Sequence, residues 1–135
     1  MNITEITSAK TQAAVRLRLA PYCRVSSDSA DQLHSFAAQI RYYSDYAKKH
    51  PEYQLVDIYA DEGITGTEMK KRDELKRLIA DCKKGKVDRI IVKSVSRMAR
   101  NTEELLVMIR MFKDIGVSVY FEEQGIDTEK LNMEI

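Results

Sequence analysis

Four short apolar runs, VRLRLAPYCRV, YQLVDIYA, VDRIIVKS and VSVYFEE, alternate along the chain with three longer stretches in which apolar residues return every three or four positions. Strand-sized and helix-sized periods in alternation, joined mostly by short connections, leave few topologies open. Successive strands lie parallel, and each helix crosses the sheet to reach the next. The expected fold is α/β, a largely parallel four- to five-stranded sheet flanked by helices on both faces. In the first run Val15, Leu17, Leu19, Cys23 and Val25 share a face, although Pro21 has no N–H to give to a ladder. The first helical stretch carries Leu33, Phe36, Ala37, Ile40, Tyr43 and Ala47 and is stopped by Pro51. The second carries Leu75, Leu78, Ile79 and Cys82 and stops at Gly85; the third opens on Asn101 with Glu104 three residues later, a capping-box pattern, and closes at Gly116.

A chain of 135 residues is long enough for one real core and too short for two comfortable ones. Residues 1–14 show no period and no glycine or proline, and read as a poorly ordered leader before a single domain over 15–135. Nothing resembles a signal peptide and no apolar run is long enough to span a bilayer, so a cytoplasmic protein without a membrane partner is expected. Cys23 and Cys82 lack zinc-ligand spacing and read as reduced thiols. The net charge of +1 hides a segregation: residues 70–100 hold twelve Lys and Arg against four Asp and Glu, whereas residues 101–135 hold eight acids and three bases. That basic segment either faces phosphates or forms solvated helix faces.

In open parallel sheets, ligands bind beyond the carboxyl ends of the strands. Arg24 and Ser26 fall at the end of the first strand, Asp61 just after the second, and Lys93, Ser96, Arg97 and Arg100 just after the third. Arg72 enters from the loop after the second strand at a helix N-terminus, where a cation opposes the macrodipole and an anion between the two is favourable. Any one of these arginines alone reads as a solvated side chain, and Ser26 alone as a turn residue. Gathered around one hydroxyl, guanidinium groups suit a phosphodiester, because they bind its oxygens in pairs and brace charge that grows during displacement. His34 and His50 have no partner spacing for a Ser-His-Asp triad and read as surface residues. Asp61 and Glu62 lack the clustered ligands of a metal site, no glycine loop for a nucleotide is present, and Cys23 reads as core. Neither a metal nor a cofactor is expected.

YCRVSSDSADQLHSFAAQ, YADEGITGT, KRDEL, VDRIIVKSVSRMARNTEEL and GVSVYFEEQGID, in that order and spacing, resemble the N-terminal catalytic domain of serine recombinases, the resolvase and invertase family. The resemblance runs from about Arg16 to Asp127. It implies Ser26 as the nucleophile with Arg24 beside it, site roles for Gln39 and Asp61, and phosphate binding by Arg72, Arg97 and Arg100 with Lys93 next to them. Small resolvases usually carry aspartate where this chain has Ser96, and that serine, with GITGT and ARNT, looks more like the large serine recombinases that act as integrases or mobile-element transposases. The implied chemistry is site-specific cleavage and rejoining of double-stranded DNA through a 5′-phosphoserine link, by dimers and tetramers, with no nucleotide cofactor and no small-molecule substrate. Family members continue after the fourth strand into a long interface helix and a DNA-binding region, so the chain reads as a catalytic domain truncated before both. Two alternatives stay open: a non-catalytic assembly or regulatory module of the same fold, and a small phosphotransferase.

Overall fold

The computed structural model describes residues 16–26, 34–63 and 72–131, so the leader assigned to residues 1–14 lies outside the described residues. β1 (Leu17–Ser26) runs through the middle of the sheet. On one side it pairs with β2 (Tyr53–Leu55) and then β3 (Tyr59–Gly63), and on the other with β4 (Arg89–Val92), all parallel. β5 (Ser118–Phe121) continues the parallel sheet beyond β4, and the two-residue β6 (Ile126–Asp127) closes it antiparallel. The run YQLVDIYA thus forms two strands rather than one, because the ladder opens between Leu55 and Tyr59.

That opening explains Pro21. Backbone groups of odd-numbered β1 residues face β2 and β3, as the bonds from Leu17 N–H to Glu52 and from Val56 N–H to the Leu19 carbonyl show. The nitrogen of Pro21 therefore faces the gap, where no ladder partner is being denied a donor. A proline in a central strand costs little at a register break.

Helices cover both faces. α1 (Phe36–Lys49), capped by the Ser35 hydroxyl accepting the Ala38 N–H, packs through Tyr43 and Tyr46 against Leu19, Cys23 and Ile91. α2 (Asp73–Lys83) and α4 (Thr102–Asp114) pack on the opposite face, where Leu75, Leu78, Cys82, Ile109 and Phe112 meet Ala20, Tyr22, Ile90, Val92 and Val119. Between β4 and α4 stands one short turn of helix, α3 (Val95–Met98), anchored by buried Met98. The α2 stripe of Leu75, Leu78 and Cys82 is the one the sequence predicts, with Ile79 packed at its margin. On α1 the inward face is Tyr43 and Tyr46, whereas Phe36 and Ile40 are 50% and 38% exposed and lie with Leu55, Val56 and Ile58 along the sheet edge.

Candidate active site

The carboxyl end of β1 sets the site. Strand alternation puts Tyr22, Arg24 and Ser26 on one face, so Arg24 and Ser26 leave the strand end on the same side, although Ser26 itself does not line the cavity that Arg24 helps to form. Ser26 donates its N–H to the His34 carbonyl at 2.7 Å, and the neighbouring α1 then brings Gln39, Tyr42 and Tyr43 over the strand end. From the other side β4 delivers Lys93, and α3 delivers Arg97. These groups enclose a cavity of about 400 Å³ lined by Arg24, Gln39, Lys93 and Arg97, together with His34 and Glu123. Four of the residues singled out from the sequence thus converge. His34 was expected at the surface; it is half-buried and lines the cavity, because α1 starts directly at the strand ends.

The cavity wall carries a counter-charge. Glu122 accepts from the hydroxyls of both Tyr42 and Tyr43, and the Lys93 ammonium stands 4.7 Å from the centre of the Tyr42 ring. Neither these tyrosines nor Glu122 announce a site role in the sequence, because their partners are brought together only by folding. Cys23 faces the same region as a protonated thiol: burial and then the Glu122 carboxylate push it up to about 12, against a downward pull from Arg97. It is a core residue, as expected. Ser96 is exposed and its hydroxyl lies 3.1 Å from that of Ser94, outside the cavity lining.

Asp61, within β3 rather than after it, does something the sequence did not suggest. Its carboxylate accepts the N–H groups of Glu74 and Leu75 at 2.9 and 3.1 Å and the Tyr22 hydroxyl at 2.7 Å. It is the anion at the N-terminus of α2, supplied by the protein itself, and it caps that helix across the fold. The N-terminus expected to await an external anion is therefore occupied.

Arg72, the residue at the N-cap position of α2, is buried and donates Nη1 to Glu104 at 2.9 Å. Its Nε and Nη2 have no partner among the described residues, and neither does Nε of Arg24. Both guanidinium groups lie near the Tyr22 hydroxyl: each pulls its pKa downward, although burial and the bond to Asp61 prevail and hold it far above the ordinary tyrosine range. Arg18 and Arg77 show what an Nε and Nη2 pair is for, since each grips a carboxylate through exactly those two atoms. In Arg72 the same two-toothed fork is left open. Leaving buried charged donors unpaired costs on the order of 1–3 kcal/mol or more, a cost offset when a ligand supplies the acceptor. Arg100 joins this second group, its N–H bonded to Glu104 at 3.0 Å. The predicted arginines thus form two neighbouring sets: Arg24 and Arg97 at the cavity, and Arg72 and Arg100 around Glu104.

The family model for the resolvase N-terminal domain matches residues 19–135. The chain belongs to that family. Among curated resolvases, a resolvase/recombinase of Pseudomonas putida is 30% identical over 113 residues, covering 84% of this chain, and a resolvase of Clostridium perfringens is 32% identical over 102 residues, covering 75%. The chain spans about half the length of these relatives, 55% and 47% respectively. Among solved resolvase-type structures, a resolvase family site-specific recombinase from Streptococcus pneumoniae superposes with a TM-score of 0.71 at 30% identity, covering 87% of this chain and 80% of that one. The N-terminal catalytic domain of TP901-1 integrase gives 0.70 at 26% identity, covering 84% and 83%. Their likeness supports the resolvase-like α/β fold described above.

Proposed function

We propose that this resolvase-type domain cuts and rejoins double-stranded DNA at specific sites, with Ser26 as the nucleophile. The observation that carries the reading is the open, buried fork of Arg72, with a further unpaired donor at Arg24 Nε: donors that match the paired oxygens of a phosphodiester. In the reaction the Ser26 oxygen bonds to phosphorus as the bond to the 3′-oxygen breaks. The hydroxyl proton leaves Ser26 and the 3′-oxygen ends as a hydroxyl, with the 5′-phosphate held on the enzyme. The phosphoserine ester conserves the energy of the broken linkage, so rejoining is the same displacement in reverse and needs no nucleotide cofactor. Arg24, Arg72, Arg97 and Arg100 stabilise the charge that builds on the phosphate, and Lys93 adds a further cation at the cavity mouth. Gln39, whose side chain lines the same cavity, contributes hydrogen bonding to the bound backbone. Asp61 acts indirectly, by fixing the N-terminus of α2 that carries Arg72.

The likeness to an integrase catalytic domain and the serine at position 96 favour membership of the large serine recombinases of mobile elements. Two buried, unbridged cysteines fit a reducing cytoplasm, and no helix among the described residues is long and apolar enough to cross a membrane. Assembly into dimers and tetramers on DNA completes the reading.

The test uses the natural full-length protein and a recombination-site DNA nicked so that the cleaved strand diffuses away. A protein–DNA adduct that survives denaturation is expected, absent in Ser26→Ala and retained in Ser27→Ala. The reverse pattern moves the nucleophile by one residue. No adduct in the wild-type protein, with folding intact, replaces this reading with a non-catalytic module.

A further inference from the structure

A buried guanidinium with one edge open needs something to decide which edge. Arg72 comes from the N-cap position of α2 and Arg100 from the loop before α4, and one carboxylate ties the two together. Oε1 of Glu104 accepts Arg72 Nη1 at 2.9 Å and the Arg100 N–H at 3.0 Å, while Oε2 lies 4.0 Å from Arg100 Nε. The backbone of Glu104 is itself pinned, since its N–H is received by the Asn101 side chain at 2.8 Å. The glutamate that reads from the sequence as half of a capping box therefore directs its carboxylate at two arginines of the proposed site.

We propose that Glu104 is a positioning residue for phosphate recognition: by engaging Nη1 it fixes the Arg72 plane so that the Nε and Nη2 fork stays open for the scissile phosphate. This rests on the reading of Arg72 as a phosphate ligand. Arg18 and Arg77 show the alternative, because in both a carboxylate has taken the fork itself. Had Glu104 approached Arg72 along that edge, the arginine would be spent on an internal ion pair. Approach at Nη1 leaves the bidentate edge available and blocks rotation about the guanidinium bond. Burial pushes the Glu104 carboxyl up, but the Arg100 N–H and the Arg72 charge prevail and hold it below the ordinary range, so the clamp stays ionised at neutral pH.

The experiment measures single-turnover cleavage and DNA affinity for the natural full-length protein carrying Glu104→Ala, Glu104→Gln, Arg72→Ala and the Glu104→Ala/Arg72→Ala pair. Glu104→Ala is expected to slow cleavage by about tenfold or more with DNA affinity nearly unchanged, and to add little once Arg72 is gone. Glu104→Gln keeps an acceptor for Nη1 and should recover most of the rate. Full-rate cleavage by Glu104→Ala, a glutamine variant as slow as the alanine one, or losses that simply multiply in the double variant would each overturn the inference. Full-rate cleavage by Arg72→Ala would instead sink the underlying reading of the site. A second measurement stands apart from activity: arginine side-chain NMR should show a rotationally held Arg72 guanidinium that is released in Glu104→Ala. An unchanged Arg72 signal in a folded variant overturns the inference whatever the DNA assay shows.

Discussion

Arg18, Arg77 and Arg72 carry the same side chain into different fates, and only Arg72 combines burial with an open fork. Its chemistry depends on planar, two-point donation, which a lysine cannot reproduce. Arg72→Lys should therefore cut cleavage by about tenfold or more while leaving the fold intact, as judged by single-turnover rates beside thermal melting. Recovery of the wild-type rate by lysine would show that charge alone suffices. Arg24→Ala, Arg97→Ala and Arg100→Ala should each slow cleavage by about a hundredfold, with smaller effects on DNA affinity. Cys23 makes the opposite case. Its thiol, pushed up to about 12 chiefly by burial, stays protonated at pH 8, so folded protein should resist alkylation there and react only on unfolding.

α2 illustrates how an element is held in place by a residue outside it. Asp61 on β3 receives two N–H groups of its first turn and the phenol of Tyr22, so strand, helix and the β1 tyrosine share one carboxylate. Asp61→Ala should cost about 1–3 kcal/mol in chemical denaturation, because it removes a cap and orphans a buried hydroxyl. It should also slow cleavage, since Arg72 sits at the helix end so released. β6 depends on a comparable lock at the other end of the sheet, where buried Arg89 holds Asp127 through Nη1 and Nη2 at 3.0 and 3.1 Å. The bond to Arg89 lowers the Asp127 pKa against the pull of burial, so the stabilisation is present above the unfolded-state pKa of about 3.9 and is lost as pH falls through the lower folded value. Asp127→Asn should flatten the acid limb of the stability curve below about pH 4, measured by urea midpoints across pH.

Over the whole molecule, the basic segment 70–100 does not present itself as one surface. Arg89 is turned inward at the amino ends of the strands and Arg77 is taken up by Glu74 and Asp57, whereas Lys93, Arg97 and Arg100 lie at the carboxyl ends. The positive field at that rim is thus smaller than the charge count suggests. This domain should bind DNA weakly, with dissociation constants of about 10⁻⁴ to 10⁻⁶ M that worsen as salt rises and scarcely distinguish sequences. Titration against cognate and random duplexes at two salt concentrations checks this. Tight, site-selective and salt-resistant binding would reveal recognition elements beyond those described.

The alternation of periods was enough to determine a parallel sheet with helices on both faces, because side-chain burial repeats with the backbone geometry that produces it. The rim position of Arg24, Lys93 and Arg97 followed from the same topology, since every parallel strand delivers its successor residues to one edge. Pro21 marked a real irregularity, but its harmlessness was invisible until the gap between β2 and β3 was seen. β6 escaped notice because two residues carry no period. The roles of Asp61 and Glu104 were equally hidden: Asp61 reaches Tyr22 and the first turn of α2, and Glu104 reaches Arg72, 32 residues away, through the direction of a carboxylate rather than the pattern around it. Residue types and spacing determined which charges reach the rim; only tertiary packing decided which of their donors are consumed by the protein and which stay open, because hydrogen-bond directionality is a property of three-dimensional contact.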